Sequence, residues 1–167
     1  AGDLPATNSD GDAVVEPTDE QKYLFDTRGW LLLPGVLAQD DIDEMREFSL
    51  RLQLQPGSLL EHHRCAVAGP LQRLADHPVV VGFMEEFVAH APLASDGGYG
   101  FRMDGSFLST RTAGSEAFTP HGGNGMGRFP GNHHTYNVLP GAANSGLTRV
   151  VWELNPVKRG TGGTLFL

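Results

Sequence analysis

The spacing of apolar residues changes near Ala91-Pro92, which divides the chain into two kinds of predicted structure. Before this point, apolar residues recur at helical intervals. After it, Gly and turn residues become frequent and apolar residues alternate, as in Tyr99, Phe101 and Met103, which is typical of half-buried strands. The chain has 22 Gly and 11 Pro in 167 residues, with only 19% charged residues, a composition that favours turn-rich β structure. We therefore predict one domain, in which a helical first half packs outside an antiparallel β second half.

Three helices are predicted before the change in spacing. Thr18 and Gln21 have the spacing of a capping box, so a helix should begin after Thr18 and end at Gly29. A second helix should begin near Asp40, and a third at Pro78, a residue suited to a first helical position. Each of these two has one apolar face, formed by Ile42, Met45, Phe48 and Leu52 in the second helix and by Val80, Phe83, Met84, Phe87 and Val88 in the third.

Strands are predicted in both halves of the chain. Trp30-Leu31-Leu32-Leu33 should form a short buried strand that Pro34-Gly35 closes. Further strands are expected at about residues 99–109, 133–139, 147–154 and 164–167. Because the chain stops inside the last of these, with apolar side chains left to bury, we expect residues 21–167 to form a partial domain.

Charge and cysteine content exclude several classes of protein. Residues 1–20 hold six acidic side chains and no Lys or Arg, which predicts a solvated, flexible tail. A formal net charge of −8 argues against nucleic-acid partners and anionic membranes. No apolar run approaches the roughly 18 residues of a spanning helix, so no membrane association is expected. The single cysteine, Cys65, excludes an intramolecular disulfide and favours the cytoplasm.

His121 is the strongest candidate for chemistry. It follows Pro120 at a predicted junction between strand and loop, and the glycines after it would let a ligand approach the backbone. An imidazole in this position fits an Fe(II) or zinc ligand. His133 and His134 would point to opposite faces of a strand, so at most one of them could join His121. Surface or helix-capping roles suffice for the other histidines, His62, His63, His77 and His90.

Several segments of the chain resemble, in order, segments of the phytanoyl-CoA dioxygenase family. The first is Phe25-Asp26-Thr27-Arg28-Gly29-Trp30-Leu31-Leu32-Leu33-Pro34-Gly35-Val36-Leu37, which is similar to the opening of that family. The others are Ala75-Asp76-His77-Pro78, Arg102-Met103-Asp104, Pro120-His121-Gly122-Gly123, Leu147-Thr148-Arg149-Val150-Val151-Trp152-Glu153-Leu154 and Gly162-Gly163-Thr164-Leu165-Phe166-Leu167. Together they extend from about residue 21 to the end of the chain.

This resemblance implies an α+β protein with a mainly β core: a double-stranded β-helix, or cupin-like jelly roll, with flanking N-terminal helices. It implies an enzyme that uses Fe(II), 2-oxoglutarate and O2 to hydroxylate or otherwise oxidise a small organic substrate. In the family, two histidines and one carboxylate bind the iron on one face, and His121 matches the first histidine. Tyr136 and Trp152 lie on predicted strands that would form the pocket walls, where core packing explains each of them equally well.

The chain departs from the family at Gly123, where the His-x-Asp/Glu pattern places the carboxylate ligand. Three explanations stay open. Asp104, on the preceding predicted strand, supplies the carboxylate. Alternatively, water or halide takes the vacant position, as in iron-dependent halogenases of this scaffold, which carry Gly or Ala there. In the third explanation the domain is a non-catalytic jelly-roll module that binds a ligand or partner.

A second departure concerns the end of the chain. The family continues after the Gly-Gly strand into Pro-Gly-Ser-His, which supplies the distal ligand, and later into an Arg that pairs with the far carboxylate of 2-oxoglutarate. This chain ends at Leu167, before both motifs. We therefore expect one assured metal ligand, His121, and little turnover from these 167 residues. Neither the particular substrate nor the oligomeric state follows from these motifs.

Overall fold

The computed structural model describes residues 4–89, 98–119, 136–140 and 142–166. They contain three α-helices, α1 (Asp19–Arg28), α2 (Gln39–Leu54) and α3 (Pro78–Phe87), and two strands, β1 (Tyr136–Leu139) and β2 (Ala142–Ser145). Three 3-10 turns lie between α2 and α3, at Pro56–Ser58, Glu61–His63 and Gly69–Leu74.

These elements belong to two compact units. The described residues of the first unit come from Ala1–Leu31, His77–Arg102 and Phe118–Val150. Those of the second come from Leu32–Asp76, Met103–Ala117 and Val151–Leu167. Helices α1 and α3 and both strands therefore lie in the first unit, and α2 with the three 3-10 turns lies in the second.

Helix α1 has the two ends that its sequence predicts. Gln21 N donates to Thr18 Oγ1 at 3.2 Å, and Thr18 N donates to Gln21 Oε1 at 2.9 Å. These bonds satisfy backbone donors that have no partner inside the helix. Gly29 ends the helix with a φ of 74°, in the left-handed region that favours glycine. The predicted capping box and C-terminal stop are both confirmed.

An aromatic cluster joins α1 to α3 in the first unit. The Phe25 ring lies 4.7 Å from the Phe83 ring, in an edge-to-face arrangement, and 4.8 Å from the Phe87 ring. Each such pair contributes about 0.5–1.5 kcal/mol beyond the burial of its surface. Beside the cluster, Lys22 Nζ forms an ion pair with Glu86 Oε2 at 2.8 Å. Two residues of the predicted apolar face of α3, Phe83 and Phe87, therefore contact α1.

The start of α3 is also as predicted. Pro78 occupies the first turn, and His77 Nδ1 accepts a hydrogen bond from Val79 N at 3.3 Å. A proline at this position loses only a backbone donor that would lack a helical partner. The helix-capping role expected for His77 is confirmed.

The core of the second unit forms between α2 and the Gly69–Leu74 turn. Met45 and Phe48 of α2 expose only 1% and 8% of their surfaces, and they pack with Leu59, Ala68 and Leu71. Gly69 has a φ of +55°, and a Cβ atom built on it would lie 2.6 Å from Phe48 Cε2. Both the conformation and the close approach therefore require glycine at this position.

The C-terminal residues of the second unit are attached to the same helix. Arg46 donates from Nε and from Nη2 to the backbone oxygen of Leu154, at 3.0 and 2.8 Å. The Leu154 side chain packs against the core of Met45 and Phe48. A single arginine on α2 thus holds a segment more than a hundred residues away in sequence.

Strands β1 and β2 form an antiparallel pair in which Tyr136 lies opposite Ser145. Strand β1 coincides with the last four residues of the predicted strand 133–139, whose first three residues lie outside the described ranges. Strand β2 was not predicted, because Ala-Ala-Asn-Ser has neither apolar alternation nor β-branched residues.

The other predicted strands are wrong for the described residues. Trp30–Leu33 forms no strand, and 75% of Leu32 is exposed. The Trp30 ring instead lies 5.9 Å from the guanidinium carbon of Arg28. Residues 99–109, 147–154 and 164–166 form no strand either. A strand needs a neighbour to satisfy its backbone donors and acceptors, and apolar spacing alone does not supply one. The described regular structure is mostly helical, and the jelly roll stays a prediction.

Residues 4–17, which we call the N-terminal strap, were predicted as part of a solvated tail. Their acidic side chains are indeed exposed. However, Asn8 is buried, and its Oδ1 accepts hydrogen bonds from Asp10 N at 3.1 Å and Asp12 N at 2.8 Å. Val15 N donates to Pro78 O, at the start of α3, at 3.2 Å. The strap is therefore held by backbone contacts that its composition does not reveal.

Across the described ranges, every helix is too short or too polar to cross a lipid bilayer. This agrees with the expectation, from the lengths of the apolar runs, that no membrane-spanning segment is present.

Replacing Met45 by Ala should lower the free energy of unfolding by about 2–5 kcal/mol, because it leaves a cavity in a closely packed core. Chemical denaturation monitored by circular dichroism measures this change. Leu50→Ala, on the same helix with 49% of its side chain exposed, is the matched control and should cost only about 0.5 kcal/mol. Equal losses in the two variants would contradict the assignment of this core.

Candidate functional site

The residues expected to bind iron fall partly outside the described ranges. Residues 120–135, which include His121 and Gly123, lie outside them, as does His90. Residues 120–135 also include His133 and His134. Of the predicted site residues, the structure describes Asp104, Tyr136 and Trp152, so these three can be examined for a role in the site.

Asp104 is exposed and lies in the second unit, in a segment without regular secondary structure. Metal sites in proteins are formed by several donor side chains that converge on one point. Among the described residues, no group of three or more His, Cys, Asp or Glu side chains has this arrangement. The described part of the chain therefore does not by itself supply a ligand set for iron, and Asp104 as the missing carboxylate stays a hypothesis.

Tyr136 is bound to helix α1. Its hydroxyl donates a hydrogen bond to Asp26 Oδ1 at 2.6 Å, and its ring lies edge-on to Phe25 at 6.2 Å between centroids. Partial burial raises the pKa of Tyr136 to about 12, helped by the hydrogen bond to Asp26 and by the charge of that carboxylate. These contacts favour the packing role of Tyr136 over the binding of a keto acid.

Trp152 is half-buried and belongs to the second unit. Two residues further along, Leu154 packs on the α2 core and its backbone oxygen is held by Arg46. The segment that carries Trp152 is thus fixed at Leu154. Tyr136, by contrast, belongs to the first unit, so the two side chains expected to line a pocket are held by different sets of contacts.

Sequence analysis missed one polar residue, Glu85 of α3. Among the described residues, its Oε1 atom is buried without a hydrogen-bond partner. Burial raises the pKa of Glu85, and the nearby charge of Glu16 raises it further. The signal in the sequence is a pair of glutamates, Glu85 and Glu86, on an otherwise apolar helix.

The histidines of the Glu61–His63 turn have the surface location expected for them. His62 is exposed and His63 half-buried, and their rings lie 4.4 Å apart. They belong to none of the donor groups that a metal ion would need, within the described residues.

No family model, curated protein or solved structure matches this chain. The family resemblance therefore depends on the order and spacing of its sequence motifs. Two of these motifs coincide with helix boundaries in the structure: the first contains the end of α1, and Ala75-Asp76-His77-Pro78 contains the start of α3.

Replacing Tyr136 by Phe should remove the tyrosine that ionises with a pKa of about 12. Because the folded protein holds this phenol proton more tightly than the unfolded chain, the Tyr136 contribution to stability is complete below about pH 10 and is lost as the pH rises towards 12. Ultraviolet titration of tyrosinate absorbance, in the wild type and in Tyr136→Phe, measures the missing transition.

Tyr23→Phe is the control for this titration, since Tyr23 lies on the same helix as Asp26 but 67% of it is exposed. That variant should retain the high-pH transition. If Tyr136→Phe also retains it, the hydrogen bond to Asp26 is not the cause.

Proposed function

We propose that this chain belongs to an oxygenase similar to the phytanoyl-CoA dioxygenase family, which oxidises a small organic substrate with Fe(II), 2-oxoglutarate and O2. The observation that carries the proposal is the segment Pro120-His121-Gly122-Gly123, preceded and followed in order by the other family-like motifs. Each motif is short, and their shared order over about 145 residues supports the proposal more than any one of them does.

His121 is the proposed metal ligand. A neutral imidazole offers a nitrogen lone pair to a divalent cation and is among the commonest metal ligands in proteins. Iron, when bound, supplies the oxidative chemistry, whereas the protein binds and orients the substrate and excludes water. The roles of this chain's residues are thus to hold the cation and to shape the pocket around it.

Gly123 favours a second candidate, an iron-dependent halogenase. A glycine has no side-chain donor, so a site with His121 lacks the carboxylate that most members of the scaffold place two residues later. Chloride or another small anion would fit the position that a carboxylate otherwise fills. The two candidates share His121 and differ in the dependence of their activity on halide.

Replacing His121 by Ala should weaken the binding of Fe(II), titrated under anaerobic conditions in the presence of 2-oxoglutarate, by more than about tenfold. Losing a residue that only orients a metal ligand already lowers metal affinity by about 10–100-fold. Losing a direct ligand lowers it at least as much. His62→Ala, at an exposed histidine outside the proposed site, is the matched control and should bind iron as the wild type does. Equal affinity in the His121 and His62 variants would remove His121 from the site.

Decarboxylation of 2-oxoglutarate by the full gene product separates the remaining possibilities. The oxygenase requires turnover that His121→Ala abolishes, and the halogenase further requires chloride for product formation. Titration with Fe(II) and, separately, with Zn²⁺ tests the third possibility. A protein that binds neither ion would be a non-catalytic binding module, and the oxygenase proposal would then be wrong.

A further inference from the structure

The N-terminal strap lies on one face of α3. Gly82, Glu85 and Glu86 are spaced at i, i+3 and i+4 and therefore share this face. A Cβ atom built on Gly82 would overlap the backbone oxygen of Val15. Val15 N also donates to Pro78 O at 3.2 Å. The strap thus contacts the first two turns of the helix through its backbone.

Gly82 fits this contact and has no other structural reason to be glycine. Its φ is not positive, so the backbone conformation would accept any residue. Glycine inside a helix costs about 1 kcal/mol relative to alanine. Only the close approach of the Val15 carbonyl, with the Val14 side chain beside it, requires the absence of a side chain.

Glu85 lies on this face of α3, and no cation among the described residues lowers its pKa. Its Oε1 is buried and, among the described residues, accepts no hydrogen bond. Glu16 of the strap has the same sign of charge and raises the pKa of Glu85. Lys22 of α1 forms an ion pair with Glu86 at 2.8 Å and is also affected by the charges of Asp19 and Glu16. Strand β2 packs on α3, and its sequence Ala142–Ser145 contains no ionisable residue.

We propose that the N-terminal strap is a pH-sensitive device: it docks on α3 most tightly when Glu85 is protonated and loosens when Glu85 ionises. A buried carboxylate without a partner is costly in its charged form and much less so in its neutral form. Release of the strap exposes Glu85 to water, where its charge is solvated. Docking and protonation therefore favour one another.

The direction of the pH effect follows from this linkage. Burial, and then the charge of Glu16, raise the pKa of Glu85 above its ordinary value of 4.5. Below pH 4.5 Glu85 is mainly protonated in both the docked and the released form. Docking then has no free-energy cost from burying a charge on Glu85. As the pH rises from 4.5 through the raised value, the docked form binds more protons than the released form, so docking weakens by up to about tenfold per pH unit.

Hydrogen exchange of the Val14 and Val15 amides, corrected for intrinsic exchange rates and measured from pH 4 to 7, tests the proposal. The Val15 amide donates across the docking contact, to Pro78 O, and the Val14 amide donates within the strap, to Ala6 O. Their protection should fall as the pH rises. The amide of Val81, within α3, reports opening of the whole unit and should not follow the same course.

Glu85→Gln should make strap protection high and independent of pH, because it keeps the size of the side chain and removes its charge. Glu47→Gln, an exposed glutamate on α2, makes the same change in net charge and should preserve the wild-type pH profile. A wild-type profile that is flat, or a Glu85→Gln profile that still falls with pH, would overturn the proposal.

Gly82→Ala tests the contact itself. The added methyl group should displace Val15 and reduce the protection of both strap amides by at least about tenfold at every pH, while circular dichroism shows that the helices are retained. Gly57→Ala is the control, since a Cβ there meets nothing within 4 Å. Unchanged strap protection in Gly82→Ala would overturn the docking. If Gly82→Ala does not fold, the Glu85→Gln profile alone decides.

Discussion

The packing of Phe25 against Phe83 and Phe87 is the interaction on which the first unit depends. It fixes α1 against α3, and two further attachments use the surfaces so created. Tyr136 of β1 packs on Phe25 and donates to Asp26, while the strap lies on α3 at Gly82. Tyr136 thus attaches to α1 and the strap to α3, and the aromatic cluster joins these two helices.

The parts of the fold that could be predicted are those determined by neighbours in sequence. The capping box at Thr18, the stop at Gly29 and the start at Pro78 each depend on residues within one helical turn. The apolar face of α2 could be predicted for the same reason, since Met45 and Phe48 lie one turn apart on a helix. Such local signals place helices correctly without any knowledge of what packs against them.

The parts that could not be predicted depend on contacts between distant residues. Leu32 lies in an apolar run that looks like a buried strand, yet 75% of it is exposed. Strand β2 is the opposite case. Its composition disfavours a strand, and it forms one because it pairs with β1. The contact of Val14 and Val15 with Gly82 likewise joins distant residues, and nothing in the sequence of α3 indicates it.

Prediction of the candidate site depends both on local sequence patterns and on contacts between distant residues. A local pattern predicts His121 as a donor, but a metal site needs donors that converge from distant positions, which a local pattern does not specify. The missing carboxylate at Gly123 would also change the charge around a bound metal ion. Replacing a carboxylate by glycine removes one negative charge beside a divalent cation, and neutral imidazoles do not restore it. A site of this kind therefore gains affinity from anions in solution. If iron binds at His121, its affinity should rise with 2-oxoglutarate and with chloride, and Gly123→Asp should remove the chloride effect by supplying the charge from within the chain.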